Sequence, residues 1–163
     1  MNDQHGMRTK IIIWLTLILA LVLQSIPWPG VLEYYRPNWV LLVMFYWVLA
    51  LPHKANVLTA MFFGLALDLV IGSTLGIRGI VMSVLTYIVA TNFQVLRNLA
   101  LWQQAVVFGL LSAFAEVIEF CGEYIIHKSV FDPHYLWVGV VNCILWPWLF
   151  FFLRRVRLRW HMR

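Results

Sequence analysis

The sequence predicts an all-α polytopic membrane protein with six transmembrane helices. Three observations predict it. The 163 residues are 63% hydrophobic and only 12% charged, whereas soluble domains carry about 25% charged residues. Apolar runs near the roughly 20 residues that cross a bilayer core follow one another along the chain. Alternating segments of roughly ten residues, the mark of an outer-membrane barrel, are absent.

Each element has a local reason. Residues 1–10 form a polar N-terminal segment closed by Arg8 and Lys10. The first span covers 11–26 and stops at Pro27-Trp28-Pro29-Gly30. More spans follow it and no small-residue cleavage site ends it, so it is not a signal peptide. A short loop carries Glu33 and Arg36. Pro37 suits a first helical turn and opens a second span at 38–51, short for a crossing, which ends before Pro52. The third span covers 55–71 and runs into a glycine-punctuated turn at 72–76. The fourth covers 77–93, and a connector around Arg97 and Asn98 leads to the fifth at 101–126. The sixth covers 135–153, and residues 154–163 form a basic tail. The organisation is thus an N-terminal segment (1–10), a six-helix domain (11–153) and a tail (154–163).

Charge orients this arrangement. An even number of spans puts both termini on one side. That side collects Arg8, Lys10, Lys54, Arg97 and the tail arginines, nine of the twelve basic residues. The other side keeps Arg36, Arg78 and Lys128. Positive residues stay inside, so both termini are expected in the cytoplasm. The net charge of +5 lies mostly at helix ends, where topology accounts for it without nucleic acid. The tail is expected to attract anionic lipid.

The residues also exclude functions. No nucleophile–base pair, HExxH or phosphate-binding loop is present, so no catalytic residue and no cofactor is assigned. Cys121 and Cys143 lie inside apolar runs and read as packing residues. His127, Asp132 and His134 share one loop but make no metal set.

The most informative stretch is GLALDLVIGSTLG, residues 64–76. Its centre is Asp68, an acid that costs about 2.5–3.5 kcal/mol at a bilayer centre and less near the surface. Ala60, Gly64, Asp68, Gly72 and Gly76 recur every four residues, so small residues share a helical stripe with the acid and admit a close neighbour. The fifth span adds Glu116, Glu119 and Glu123, on one face by their spacing of three and four. In the predicted topology these four acids, Arg36 and Arg78 share one layer in the outer half of the membrane. Three readings of the layer stand at this level. The charges pair and fix packing, they surround a cavity for a ligand or partner segment, or they relay protons or cations. Three ionised glutamates on one face repel, so at least one is expected to be protonated. Pro147 lies within the sixth span, removes a backbone donor and predicts a static kink.

Several of these pieces together resemble the bacterial MreD family of rod shape-determining proteins. They are Arg36-Pro37-Asn38-Trp39, Tyr46-Trp47 with Ala50-Leu51-Pro52-His53, and residues 64–76 around Asp68. Residues 97–104 (RNLALWQQ) and Leu145-Trp146-Pro147-Trp148 complete the set. Arg36, Pro37, Gly64, Asp68, Gly72 and Gly76 match the family's recurring pattern. The resemblance covers nearly the whole chain. It implies a non-enzymatic protein of the bacterial inner membrane, within the rod-type complex that elongates the cell wall. The implied direct partner is MreC. Through MreC it would reach the filament protein MreB, the glycosyltransferase RodA and RodA's partner transpeptidase. The resemblance also implies a fold similar to the substrate-binding subunits of energy-coupling-factor transporters. A rival function of another class therefore stands beside the scaffold: a small-molecule carrier or substrate-binding membrane subunit that uses the outer-half layer as its pocket.

Overall fold

The computed structural model describes residues 2–128, 130 and 133–160. Asp132 and Arg163 lie outside them, so the expectations for the 127–134 loop and the end of the tail are not addressed in full.

Seven α-helices and two 3-10 turns make up the described residues. Helix α1 spans Asn2–Ser25. It begins well before the predicted first span, so the polar N-terminal segment continues the helix. Four residues later Pro29 leads into a 3-10 turn at Gly30–Tyr35. Helix α2, Trp39–Ala50, is capped by the Asn38 side chain, which accepts from the Leu41 amide. Helix α3, Val57–Ile71, is capped in the same way by Asn56. Helix α4 spans Ile77–Thr91 and the short α5 spans Phe93–Asn98. Helix α6, Leu101–His127, lies within a residue of the predicted fifth span. A second 3-10 turn at Pro133–Leu136 precedes α7, Trp137–Arg159, which contains Pro147.

Three of these helices, α1, α6 and α7, are long and apolar enough to cross a membrane. Helices α3 and α4 are apolar but 15 residues each, about 22 Å at 1.5 Å per residue. Helix α2 has only 12 residues, yet Val40 to Leu49 are all buried. A helix that is apolar all round belongs in a core, and α2 is the post around which the others stand. Helix α7 passes the predicted end of the sixth span by six residues. Arginine is a good helix former, and nothing after Leu153 breaks the helix.

The core is aromatic. Phe45 on α2 stacks on Phe108 of α6 at 5.1 Å between ring centres, and Phe108 meets Trp146 of α7 at 4.2 Å. Trp47 Nε1 donates to Thr16 Oγ1 at 2.8 Å, tying α2 to α1. Helices α6 and α7 cross closely where both are bare. A Cβ on Gly109 would lie 2.9 Å from the Gly139 carbonyl, and one on Gly139 would lie 2.7 Å from Ala113 Cβ. The outer faces stay apolar: Leu15 and Leu19 of α1, Leu110 and Phe114 of α6, and Ile144 and Trp148 of α7 are exposed. Such a surface fits lipid as its solvent.

Candidate functional site

The site grows out of the α3–α4 hairpin. Helix α3 ends because Gly72 takes the left-handed conformation at φ 73°, which a side chain would strain. Its amide and that of Ser73 both bond the Asp68 carbonyl, at 3.0 and 3.2 Å. Gly76, also left-handed at φ 99°, starts α4. The Asp68 side chain, 0% exposed, closes the turn between them. Its Oδ2 accepts from the Gly76 amide at 2.9 Å and its Oδ1 from Ser73 Oγ at 3.1 Å.

The two helices can meet this tightly because of a glycine pair. A Cβ on Gly64 would lie 2.6 Å from Gly79 Cα and 2.9 Å from the Arg78 carbonyl. Ala60, Gly64 and Asp68 face this contact and are buried. The predicted stripe therefore holds for as long as α3 stays helical. Gly72 and Gly76 serve the turn instead.

This hairpin aims Arg78 back at the acids. Its Nη1 lies 3.6 Å from Asp68 Oδ1, and its Nε lies 3.1 Å from Glu119 Oε2 on α6. Nη1 also donates to Ser73 Oγ at 2.5 Å. One guanidinium thus bridges the turn and a third helix. Its planar fork suits two carboxylates at once.

The other layer residues stand differently. Glu116 is half-buried on α6 and makes no ion pair among the described residues. Glu123 is half-buried and makes no ion pair among the described residues. Arg36 departs from the one reading of the three in which both arginines pair with acids. Its buried Nε and Nη2 have no hydrogen-bond partner among the described residues, and the charges it feels are Glu33 and Arg78. The reason is position: Arg36 follows the Gly30–Tyr35 turn in extended backbone, while the hairpin has committed Asp68 and Glu119 to Arg78. Pro37 is buried beside Asn38 at the mouth of α2.

Sequence reasoning missed a second polar network. Gln24 of α1 donates to Asn38 Oδ1 at 3.2 Å and accepts from the Val40 amide at 3.0 Å. Asn142 of α7 accepts from the Asn38 amide at 3.1 Å. These amides lock α1 and α7 onto the start of α2. The signal was present as two amide side chains, Gln24 and Asn142, within apolar runs. No group of His, Cys, Asp and Glu capable of holding a metal occurs among the described residues.

The family model described as rod shape-determining protein MreD matches residues 7–156. The Rod shape-determining protein MreD of Haemophilus influenzae is 36% identical over 156 residues, which cover 93% of this chain and 96% of that protein. No solved structure matches the chain. The match spans α1 through most of α7 and includes the Asp68 turn, Arg78 and Glu119. The chain belongs to the MreD family of rod shape-determining membrane proteins, which are not enzymes.

Proposed function

We propose that this protein is a scaffold of the rod-type wall-elongation complex that works through helix-to-helix contact, with MreC as its direct partner. MreB, RodA and RodA's partner transpeptidase would be reached through MreC. We infer a six-span arrangement in the bacterial inner membrane, with both termini cytoplasmic and the basic tail against anionic lipid. Charge asymmetry supports that orientation.

One observation carries the scaffold reading. Asp68, Arg78 and Glu119 satisfy one another and the α3–α4 turn. A charge cluster consumed internally fixes helix packing, and the working surfaces are then the apolar helix faces. A half-open lateral groove of about 240 Å³ between α1, α2 and α7, lined by Leu19, Leu23, Trp39 and Trp148, is one such face. The rival reading, a small-molecule carrier of the energy-coupling-factor type, draws support from Arg36, whose two buried nitrogens lack acceptors among the described residues.

Ligand-linked stability separates the two. Anything that binds the folded state alone raises its melting temperature. The scaffold reading predicts a rise when purified protein is mixed with MreC and none across a panel of vitamins. A rise with a small molecule and none with MreC would favour the carrier.

A further inference from the structure

The opposite end of the bundle holds a feature that the outer-half layer does not explain. A half-open cavity of about 220 Å³ lies between α2, α5, α6 and α7. Arg97, Arg154 and Arg157 line it, with Tyr46, Gln104 and Phe150. Three cations share this concavity, and none of them makes an ion pair among the described residues. Arg154 and Arg157 are three residues apart on α7 and so on one face.

Like charges so placed repel, and a concave low-dielectric wall focuses their field on whatever enters. The dipole at the end of α7 favours basic residues there. That accounts for arginines on the last turns, but not for Arg97 joining them from α5. The second observation is Tyr46. It is 2% exposed, it lines the cavity, and its hydroxyl has no hydrogen-bond partner among the described residues. The charges acting on that hydroxyl are Arg157 and Arg154. A buried hydroxyl without a partner is costly, and an anionic oxygen in the cavity would accept from it and from the three guanidinium groups. Gln104 stiffens the wall, since its Nε2 donates to the Leu96 and Leu99 carbonyls at 3.0 and 3.2 Å and so holds the end of α5.

We propose that this cavity is a discrete binding site for a phosphate group, held by Arg97, Arg154, Arg157 and the Tyr46 hydroxyl, and that its natural occupant is the headgroup of an anionic phospholipid. Exposed Trp102 and Val95 stand on the flanking helices, where acyl chains would lie. The proposal rests on the reading that the basic tail meets anionic lipid, and turns that diffuse attraction into a stoichiometric site.

The test uses the full chain in nanodiscs of neutral phosphatidylcholine, titrated with phosphatidylglycerol and, separately, with inorganic phosphate. Melting temperature and native mass spectrometry are the readouts. Two double variants remove equal charge: Arg97→Gln with Arg157→Gln inside the cavity, and Arg155→Gln with Arg159→Gln outside it. Wild type is expected to retain one phosphatidylglycerol. The cavity variant should lose about thirtyfold in affinity, the contribution of two basic residues at an anionic surface, while the outside variant stays near wild type. Tyr46→Phe, which removes a hydroxyl and almost no volume, should weaken binding in the same direction, and carries the test if the double variant fails to fold. Binding of inorganic phosphate that the cavity variant loses would support the site with a free anion as occupant. Equal losses in both double variants would overturn the discrete site and leave the tail reading intact. No response to either probe would overturn both.

Discussion

Replacing Asp68 separates the two tasks that its carboxylate performs. Alanine removes the acceptor for the Gly76 amide at 2.9 Å and for Ser73 Oγ at 3.1 Å, and it removes the charge 3.6 Å from Arg78. Stripping one partner from a buried pair costs about 3–5 kcal/mol. The lower end applies here, because Glu119 still holds Arg78 Nε at 3.1 Å. Asparagine keeps one oxygen for the Gly76 amide, but its NH2 cannot accept from Ser73 Oγ and the charge is lost. That change should cost about 1 kcal/mol, the worth of an ordinary hydrogen bond. For a domain of this size each kcal/mol moves the melting temperature by roughly 2–4 °C. Detergent-solubilised Asp68→Ala should therefore melt roughly 6–12 °C below wild type and Asp68→Asn roughly 2–4 °C below, followed by tryptophan fluorescence. Equal losses in the two variants would refute the capping role. No loss in Asp68→Ala would refute the whole account of the turn.

Other perturbations follow from the same geometry. Gly64→Ala puts a Cβ against the Gly79 backbone at 2.6 Å and should destabilise by about 1–3 kcal/mol as overpacking does. Gly79→Ala meets first the Leu65 side chain at 3.2 Å, with the Leu65 backbone nitrogen at an ordinary 3.5 Å, and should cost less; the same melting assay ranks the pair. Asn142→Leu leaves the buried Asn38 amide without its acceptor and should cost about 1–3 kcal/mol, read as faster hydrogen exchange at the start of α2. Phe108→Ala opens a hole between Phe45 and Trp146 and should cost about 3–5 kcal/mol, visible as a large melting shift.

Much of the hairpin was legible because its signals are local. Asp68 announced itself as an acid in an apolar helix, and the glycines after it marked the turn. Helix α6 was legible because no breaker interrupts it between Leu101 and His127. What stayed hidden depends on which helices are neighbours. Nothing local says that Gly64 meets Gly79, that Gly109 meets Gly139, or that Gln24 and Asn142 converge on Asn38 from 14 and 104 residues away. Helix α2 read as a short span, and its burial on every side stayed hidden, since an apolar run looks the same facing lipid or buried in protein. Pairing of Arg36 with an acid stayed one of three open readings because sequence gives a shared height in the membrane but not which acid each guanidinium reaches. The tail read as separate from the sixth span because its composition changes at Arg154, although α7 continues to Arg159.

The central claim is that the Asp68–Arg78–Glu119 cluster fixes a helical surface on which MreC docks. Co-purification of tagged protein with MreC from detergent-solubilised membranes, in wild type, Asp68→Asn and Asp68→Ala, tests it most directly. The account predicts that wild type and Asp68→Asn retain MreC while Asp68→Ala loses most of it. MreC absent from the wild-type eluate, or retained equally by Asp68→Ala, would contradict it.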